Sequence, residues 1–155
     1  LTADCVPILL ADYAHGVIGA VHSGWKGAAQ HIASEAVDAM ERLGAKCSHI
    51  HAAIGPAISQ FSYEVGRDLH AQFAAAGSHY SQYFATGKDA EHHFFDLPGL
   101  VADQCRALGI AKVEKLDYDT YAHEHDYFSF RRSTHAGKTA YGRQCSAIML
   151  TPTQP

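Results

Sequence analysis

Cys5 and His22 are the two side chains whose types and positions most clearly indicate chemistry. Cys5 stands in the segment Thr2-Ala-Asp-Cys-Val-Pro7, directly before a strand-like run, and His22 follows the next such run. Strand ends are rigid and the loops beyond them are open to substrate, so such positions commonly hold functional side chains. A thiolate and an imidazole presented there can share one borderline-soft metal ion.

Spacing alone leaves two other interpretations of this pair open. Cys5 can be a structural cysteine of the core, because free cysteine is often simply buried, with His22 bonded to a loop carbonyl. The pair can also be a nucleophilic Cys–His couple, which requires the two side chains within hydrogen-bond reach.

Basic side chains that could hold an anion occur in three separate segments. The glycine-marked loop Ser23–Gly27 leads into a predicted helix, whose N-terminus favours anions. Paired arginines after an aromatic segment can clamp phosphate or carboxylate. Each segment taken alone is also consistent with a plain turn or a solvated strand end. The four candidates are Lys26, Arg131, Arg132 and Arg143.

Composition bounds the class of protein. The chain has 155 residues, 47% hydrophobic and 18% charged, which suits one globular domain and is too little charge for disorder. A net charge of −4 argues against nucleic-acid binding. No apolar run is long enough for a membrane span and no signal peptide is evident, so we expect a cytoplasmic protein. Four cysteines without a CxxC pair favour reduced thiols.

The elements that must position these side chains alternate between strand and helix patterns. Strands are predicted at residues 6–10, 17–21, 50–54, 113–116, 127–130 and 145–150. Helices are predicted at 32–43, from Val65 to Gly77, and from Asp96 to Gly109, with a long loop or insertion at 78–95. The order predicts an α+β domain with α/β-like alternation, in which helices flank a mixed sheet.

Taken in chain order, these motifs resemble the YfiH or laccase-domain family, also called multicopper polyphenol oxidase-like proteins. The matching segments are Thr2–Pro7, Val21–Gly27, Ile54–Ala57 with Tyr63–Gly66, and Phe128–Arg132 with Gly142-Arg143. They cover nearly the whole chain, so the resemblance implies a single YfiH-like domain over residues 1–155. Because the chain opens at Leu1, without Met and directly before strand-like sequence, we expect that the domain lacks its N-terminal segment here.

The resemblance implies a zinc site of two histidines and one cysteine. Cys5 matches the family cysteine and His22 its second histidine. The first histidine belongs to a motif that the family carries upstream of these residues, so we expect the third ligand there. Otherwise a local histidine or water must complete the shell. Two departures from the family leave substrate details open: Asp119 replaces a usual cysteine, and Ser133–Tyr141 is longer than the usual turn.

Three activities are associated with the family that the chain resembles. One is phosphorolysis of adenosine, inosine, guanosine or methylthioadenosine, with deamination of adenosine. The others are copper-dependent oxidation of phenols and editing of peptidoglycan precursors. A laccase needs several coppers held by repeated H-x-H motifs, whereas this chain has only His49-Ile-His51 and His123-Glu-His125. A Cys/His₂ site with an open position suits Zn²⁺ better than Cu²⁺.

The leading hypothesis is therefore a zinc-dependent purine nucleoside phosphorylase and adenosine deaminase. In it Cys5 and His22 bind zinc and act in catalysis, and Arg131 or Arg132 binds phosphate, with Arg143 and Lys26 as further candidates. The partners expected are a purine nucleoside, phosphate and a second copy of the chain in a homodimer. The alternatives are a copper-dependent polyphenol oxidase, a peptidoglycan-precursor editing factor, and a binding or structural piece without activity.

Overall fold

The computed structural model describes residues 1–151. Its strands are β1 (Val6–Asp12), β2 (Val17–Ser23), β3 (His51–Ile54), β4 (Glu64–Gly66), β5 (Phe84–Thr86), β6 (His92–Phe95) and β7 (Lys112–Lys115). Its helices are α1 (Trp25–Ala29), α2 (Ile32–Arg42), α3 (Arg67–Ala76), α4 (Leu97–Ala107) and α5 (Phe130–His135). Short 3₁₀ segments lie at Cys47–His49, Gln60–Ser62 and Ser78–Tyr83.

Four strands form the main sheet, in the order β2-β1-β3-β7. β1 pairs antiparallel with β2 and with β3, whereas β3 and β7 run parallel. A second sheet is antiparallel and has the order β4-β6-β5. The prediction of a mixed sheet flanked by helices is therefore confirmed.

The core forms around β1, which is buried at six of its seven positions. A central strand covered on both faces reads as a continuous apolar run, and Val6–Leu10 is such a run. α2 packs its buried residues Ala33, Val37 and Met40 towards β2, at the spacing of one helix face. Gly44 follows α2 with a φ of 100°, a conformation that glycine adopts without strain.

α4 closes the core on the side of β7. Asp96 caps its N-terminus by accepting a hydrogen bond of 2.9 Å from the backbone N–H of Gly99, and Pro98 lies in the first turn. The buried residues of this helix include Leu100, Val101 and Cys105, as its sequence pattern predicts.

Three predicted elements are wrong, and a fourth begins later than predicted. Residues 127–130 do not form a strand, because the Ser129 hydroxyl caps the backbone N–H of Arg132 at 3.1 Å and starts α5 there. Residues 145–150 alternate in exposure but pair with no strand in the part of the chain described. The stretch 78–95 is not an irregular loop, since it forms a 3₁₀ segment, β5 and β6. The second predicted helix begins only at Arg67, because Val65 belongs to β4.

Within residues 1–151, no helix has the length and apolar content needed to cross a bilayer.

Candidate metal and substrate site

The β1–β2 hairpin brings Cys5 and His22 to the same end of the main sheet. Pro7 pairs with His22 and Val6 with Ser23, so Cys5 stands opposite Gly24, one step beyond the ladder. A Cβ atom added to Gly24 would lie 3.1 Å from the Sγ of Cys5, which confirms how close the two segments run. Cys5 is half-buried and His22 is exposed.

Cys5 also lines a cavity of about 320 Å³ beside this hairpin. Its walls come from segments that are distant in sequence: α1, the turn before β4, and the start of α5. The principal lining side chains are Cys5, Trp25, Ile58, Tyr63, Phe130 and Arg131. The predicted cysteine ligand and one predicted phosphate-binding arginine thus share one largely aromatic cavity.

Asp4 fixes the geometry of this cavity. Its buried carboxylate accepts hydrogen bonds from the Thr120 hydroxyl at 2.7 Å, the Ser129 hydroxyl at 3.1 Å and the backbone N–H of Arg131 at 2.7 Å. Its backbone has a φ of 85°, a left-handed conformation that costs a non-glycine residue free energy. Asp4 therefore joins the turn before Cys5 to the start of α5, a role that the sequence left unassigned.

Arg131 points its guanidinium along the cavity wall. One of its terminal nitrogens donates to the carbonyl of Glu64 at 2.6 Å, and its guanidinium carbon lies 5.2 Å from the centre of the Tyr63 ring. A guanidinium offers five N–H donors, and within residues 1–151 only one of them is used. The other donors have no hydrogen-bond partner among those residues.

Arg132 has different partners, although it is the next residue. Its guanidinium donates to the carbonyls of Thr120 and Tyr121, both at 2.7 Å, and of Tyr127 at 2.5 Å. It is absent from the lining of the Cys5 cavity. Arg132 thus holds the loop 120–127 against α5.

Lys26 and Arg143 are exposed and do not line the cavity, and each lies against an aromatic ring. The Nζ of Lys26 is 5.4 Å from the centre of the Trp25 ring, which is part of the wall. Arg143 lies 4.7 Å from the Tyr141 ring, which packs edge-on against the wall residue Phe130 at 5.0 Å. Of the four basic candidates, the structure places only Arg131 in the wall.

Burial in the cavity raises the pKa of two of its side chains, Cys5 and Tyr63. Burial raises the pKa of the Cys5 thiol, and the carboxylate of Asp4 raises it further. Burial likewise raises the pKa of Tyr63 to about 12, although the nearby Arg131 guanidinium opposes this. Tyr63 is therefore a neutral phenol at physiological pH.

The donor set of Cys5 and His22 is chemically suited to zinc but supplies only two ligands. Among residues 1–151, no set of three His, Cys, Asp or Glu ligand atoms within 4.8 Å of one another includes either residue. The one such set described there is Asp12, His15 and His49, at the other end of β1. The third ligand expected upstream of Leu1 stays a prediction.

Asp119, the residue that departs from the family pattern, is satisfied by hydrogen bonds rather than directed into the Cys5 cavity. It accepts from the hydroxyls of Ser59 at 2.7 Å and Ser62 at 2.6 Å, and from the backbone N–H of Tyr121 at 2.9 Å. Burial opposes ionisation, but these hydrogen bonds hold the pKa of Asp119 below its ordinary value. The other departure, Ser133–Tyr141, continues α5 to His135 and then turns at Gly137.

The family described as "Multi-copper polyphenol oxidoreductase laccase" has a model that matches residues 1–151. The chain belongs to this family. Among curated proteins, it is 37% identical over 149 residues to a purine nucleoside phosphorylase of Rickettsia conorii, covering 96% of this chain and 61% of that protein. It is 41% identical over 149 residues to a purine nucleoside phosphorylase of Deinococcus radiodurans, covering 96% and 55%. The chain thus spans little more than half the length of these relatives.

Solved structures of two similar chains share the fold. The hypothetical protein YfiH of Bacillus licheniformis superposes with a TM-score of 0.79 at 28% identity, over 90% of this chain and 53% of that one. A Neisseria meningitidis protein of family DUF152 superposes with a TM-score of 0.76 at 30% identity, over 84% and 52%. The predicted YfiH-like architecture and the family resemblance are both confirmed.

Sequence reasoning missed part of the cavity wall. Leu97 lines it, but its position at a predicted helix start gave no sign of this. Tyr63 and Phe130 lay within family motifs, and that was the signal available for them.

Proposed function

We propose that the cavity between Cys5 and Arg131 binds a purine nucleoside together with phosphate, and that this chain carries a zinc-dependent purine nucleoside phosphorylase site. The observation that carries the proposal is the placement of Cys5 and Arg131 in one aromatic cavity. Relatives that bear the name purine nucleoside phosphorylase, at 37% and 41% identity, support it.

The aromatic walls suit a purine base. Trp25, Tyr63 and Phe130 surround a volume of about 320 Å³, within the range of small-molecule sites. Stacking of a base on an aromatic side chain contributes about 1–3 kcal/mol, and it tolerates different bases because each has a flat face. A cavity of this kind fits several purine nucleosides, in agreement with the broad substrate range expected from the family.

Arg131 is the proposed phosphate ligand. Its position is fixed from two sides, by the Asp4 carboxylate on its backbone N–H and by the Glu64 carbonyl on its guanidinium. In phosphorolysis a phosphate oxygen forms a bond to C1′ of the ribose while the C1′–N9 bond breaks. The purine leaves with the bonding electrons and takes a proton. Arg131 would hold the phosphate close to C1′ and offset its charge, with Lys26 and Arg143 adding positive charge at the rim.

Cys5 and His22 are the proposed zinc ligands in this chain, with a histidine from outside residues 1–151 as the third. The half-buried position of Cys5 beside Gly24 limits water around the thiolate. A zinc ion held there would serve as a Lewis acid towards water or substrate. Hydrolytic deamination of adenosine is the second activity that we propose for the same cavity.

Two further alternatives follow from the family. The description of the matching family supports copper-dependent oxidation of phenols as one alternative. Editing of peptidoglycan precursors rests only on the resemblance. We further expect a cytoplasmic homodimer that binds neither nucleic acid nor membrane.

Product analysis tests the proposal. The full-length protein is incubated with adenosine or inosine, with and without phosphate, and products are separated by chromatography. We expect free adenine or hypoxanthine only when phosphate is present, and inosine from adenosine in either case. Oxidation of phenols without release of any purine base would contradict the phosphorylase assignment.

A matched pair of variants assigns the phosphate site. Arg131→Lys keeps the charge but loses the planar set of donors, so we expect the KM for phosphate to rise about tenfold or more with a smaller change in kcat. Arg143→Lys, at the exposed rim, should change it less than threefold or so, since exposed charges are screened by solvent. Equal effects of the two variants would show that Arg131 does not bind phosphate.

A further inference from the structure

A second group of potential metal ligands lies at the turn of the β1–β2 hairpin. Asp12 is the last residue of β1, His15 lies in the turn, and His49 precedes β3. Asp12 lies seven positions after Cys5 in nearly extended chain, so the two residues are about 23 Å apart along the strand. This group is therefore remote from the proposed zinc site and is not part of it.

Asp12 is buried and its carboxylate is fully engaged. Its Oδ1 accepts from the backbone N–H groups of Ala14 at 3.0 Å and His15 at 3.2 Å. Its Oδ2 accepts from the backbone N–H of Lys46 at 2.8 Å and lies 2.7 Å from the Nδ1 of His15. A carboxylate has about four acceptor positions, so all of them are in use. Asp12 is accordingly better placed to orient His15 than to bind an ion itself.

The hydrogen bond to Asp12 sets the tautomer of His15. The Nδ1 atom carries the proton that it donates to the carboxylate, which leaves the lone pair of Nε2 free. A carboxylate behind a histidine in this way is the usual arrangement around metal-binding imidazoles, because it fixes the ring and makes the ligand more basic.

His49 completes the pair. Its ring stacks on that of His15 with centroids 5.4 Å apart and an interplanar angle of 26°. Ligand atoms of Asp12, His15 and His49 lie within 4.8 Å of one another, and both histidines are exposed. Two imidazole nitrogens on one tetrahedral zinc ion are about 3.4 Å apart, so the exposed His49 ring has to rotate to bring a nitrogen to that distance from the Nε2 of the fixed His15 ring.

We propose that His15 and His49 bind a divalent transition-metal ion at the hairpin turn, with Asp12 as the residue that positions His15. Imidazole ligands suit Zn²⁺, Cu²⁺ and Ni²⁺, and water completes the coordination because the site faces solvent. Two protein ligands make this an open site that binds and releases its ion more readily than a closed structural site does.

Neighbouring His51 provides a matched control. It is also exposed and forms the other half of the His49-Ile-His51 pair. Its ring packs edge-on against Tyr13 at 5.3 Å rather than on His15, and its backbone pairs with Ala11. Substitution of His51 therefore removes one exposed imidazole two residues from His49 without touching the proposed ligands.

The test is equilibrium dialysis of untagged protein against Zn²⁺, in the Cys5→Ser background so that the thiolate site does not contribute. We expect this protein to keep one zinc ion per chain at the hairpin. Adding His49→Ala or His15→Ala should weaken that binding at least about tenfold, whereas adding His51→Ala should leave it unchanged. Far-ultraviolet circular dichroism confirms that each variant is folded.

Two results would overturn the proposal. One is the absence of zinc binding in the Cys5→Ser protein, and the other is an equal loss in the His49→Ala and His51→Ala variants. Neither result bears on the phosphorylase proposal, because the hairpin turn and the Cys5 cavity are at opposite ends of β1.

Discussion

At the scale of single residues, adjacent positions in this chain have unrelated roles. Arg131 and Arg132 are indistinguishable by type and spacing, yet one guanidinium lines the cavity and the other is bonded to three backbone carbonyls. The difference arises because successive residues at the start of α5 point in different directions around the helix. The sequence identified both arginines as candidate phosphate ligands, but it could not show which of the two lines the cavity.

Arg132 gives a stability prediction. Arg132→Lys removes the planar donor set and leaves at least two of the three carbonyls without their partner, so we expect a loss of about 1–3 kcal/mol in the free energy of unfolding. Urea denaturation measures it, with Arg143→Lys as the exposed control, expected within about 0.5 kcal/mol of the parent protein. Equal stability of the two variants would show that the bonds of Arg132 to the loop 120–127 contribute little.

Asp119 gives a prediction on pH dependence. Its hydrogen bonds hold its pKa in the folded protein below the unfolded value of about 3.9, so the folded state favours the ionised form. The stability that Asp119 contributes is therefore complete at neutral pH and is lost as the pH falls below about 4 towards the lowered pKa. Asp119→Asn should be less stable than the parent protein at pH 7, with a gap that narrows in acid.

Asp126, which is exposed, provides the control substitution for that experiment. Asp126→Asn removes a carboxylate that has no side-chain hydrogen bond within residues 1–151, so we expect little change at any pH. Urea unfolding at several pH values between 3 and 7 or so measures both variants. A gap for Asp119→Asn that stays constant with pH would contradict the account.

At the scale of elements, the β1–β2 hairpin brings Cys5 and His22 to one end of the main sheet. Its register places His22 opposite Pro7 and Cys5 beside Gly24. Strand patterns at 6–10 and 17–21 predicted both strands, because β1 is buried on both faces and its apolar run is unbroken. That the two side chains share one metal ion stays a prediction.

The elements that sequence reasoning misjudged depend on contacts distant in the chain. The segment before α5 is aromatic and reads as a strand, but Ser129 caps the helix. Asp4, far away in sequence, accepts from the Ser129 hydroxyl and from the backbone N–H of Arg131. The residues 84–95 read as a loop because β5 and β6 are short and rich in histidine and phenylalanine without clear alternation. Local patterns carry no signal for either arrangement.

Gly24 tests the role of the hairpin in holding Cys5. A Cβ at position 24 would come within 3.1 Å of the Cys5 sulfur, so Gly24→Ala should displace the thiolate and weaken zinc binding at that site about tenfold or more. Gly66→Ala is the control, because its Cβ would meet nothing within 4 Å. Zinc titration compares the two, with urea unfolding as the check on stability. Equal zinc affinity would show that Gly24 does not constrain the ligand.

At the scale of the whole molecule, the proposed zinc site combines parts from both ends of the described chain. Asp4 beside Cys5 is bonded to Thr120 and Arg131, and Thr2 pairs with Gln144. The family assignment and fold are secure from the comparisons, whereas the chain spans only 55–61% of the length of the two phosphorylase relatives compared above. We propose that the third zinc ligand comes from outside residues 1–151, so composition and local pattern could identify two candidate ligands but not the third.

The central claim is that Cys5 and His22 hold a zinc ion beside the nucleoside cavity. Anomalous X-ray scattering from crystals of the full-length protein, collected on either side of the zinc and copper absorption edges, tests it most directly. We predict a zinc peak about 2.3 Å from the Cys5 sulfur and about 2.1 Å from a ring nitrogen of His22. A cluster of copper peaks, or zinc bound elsewhere with none at Cys5, would contradict the account.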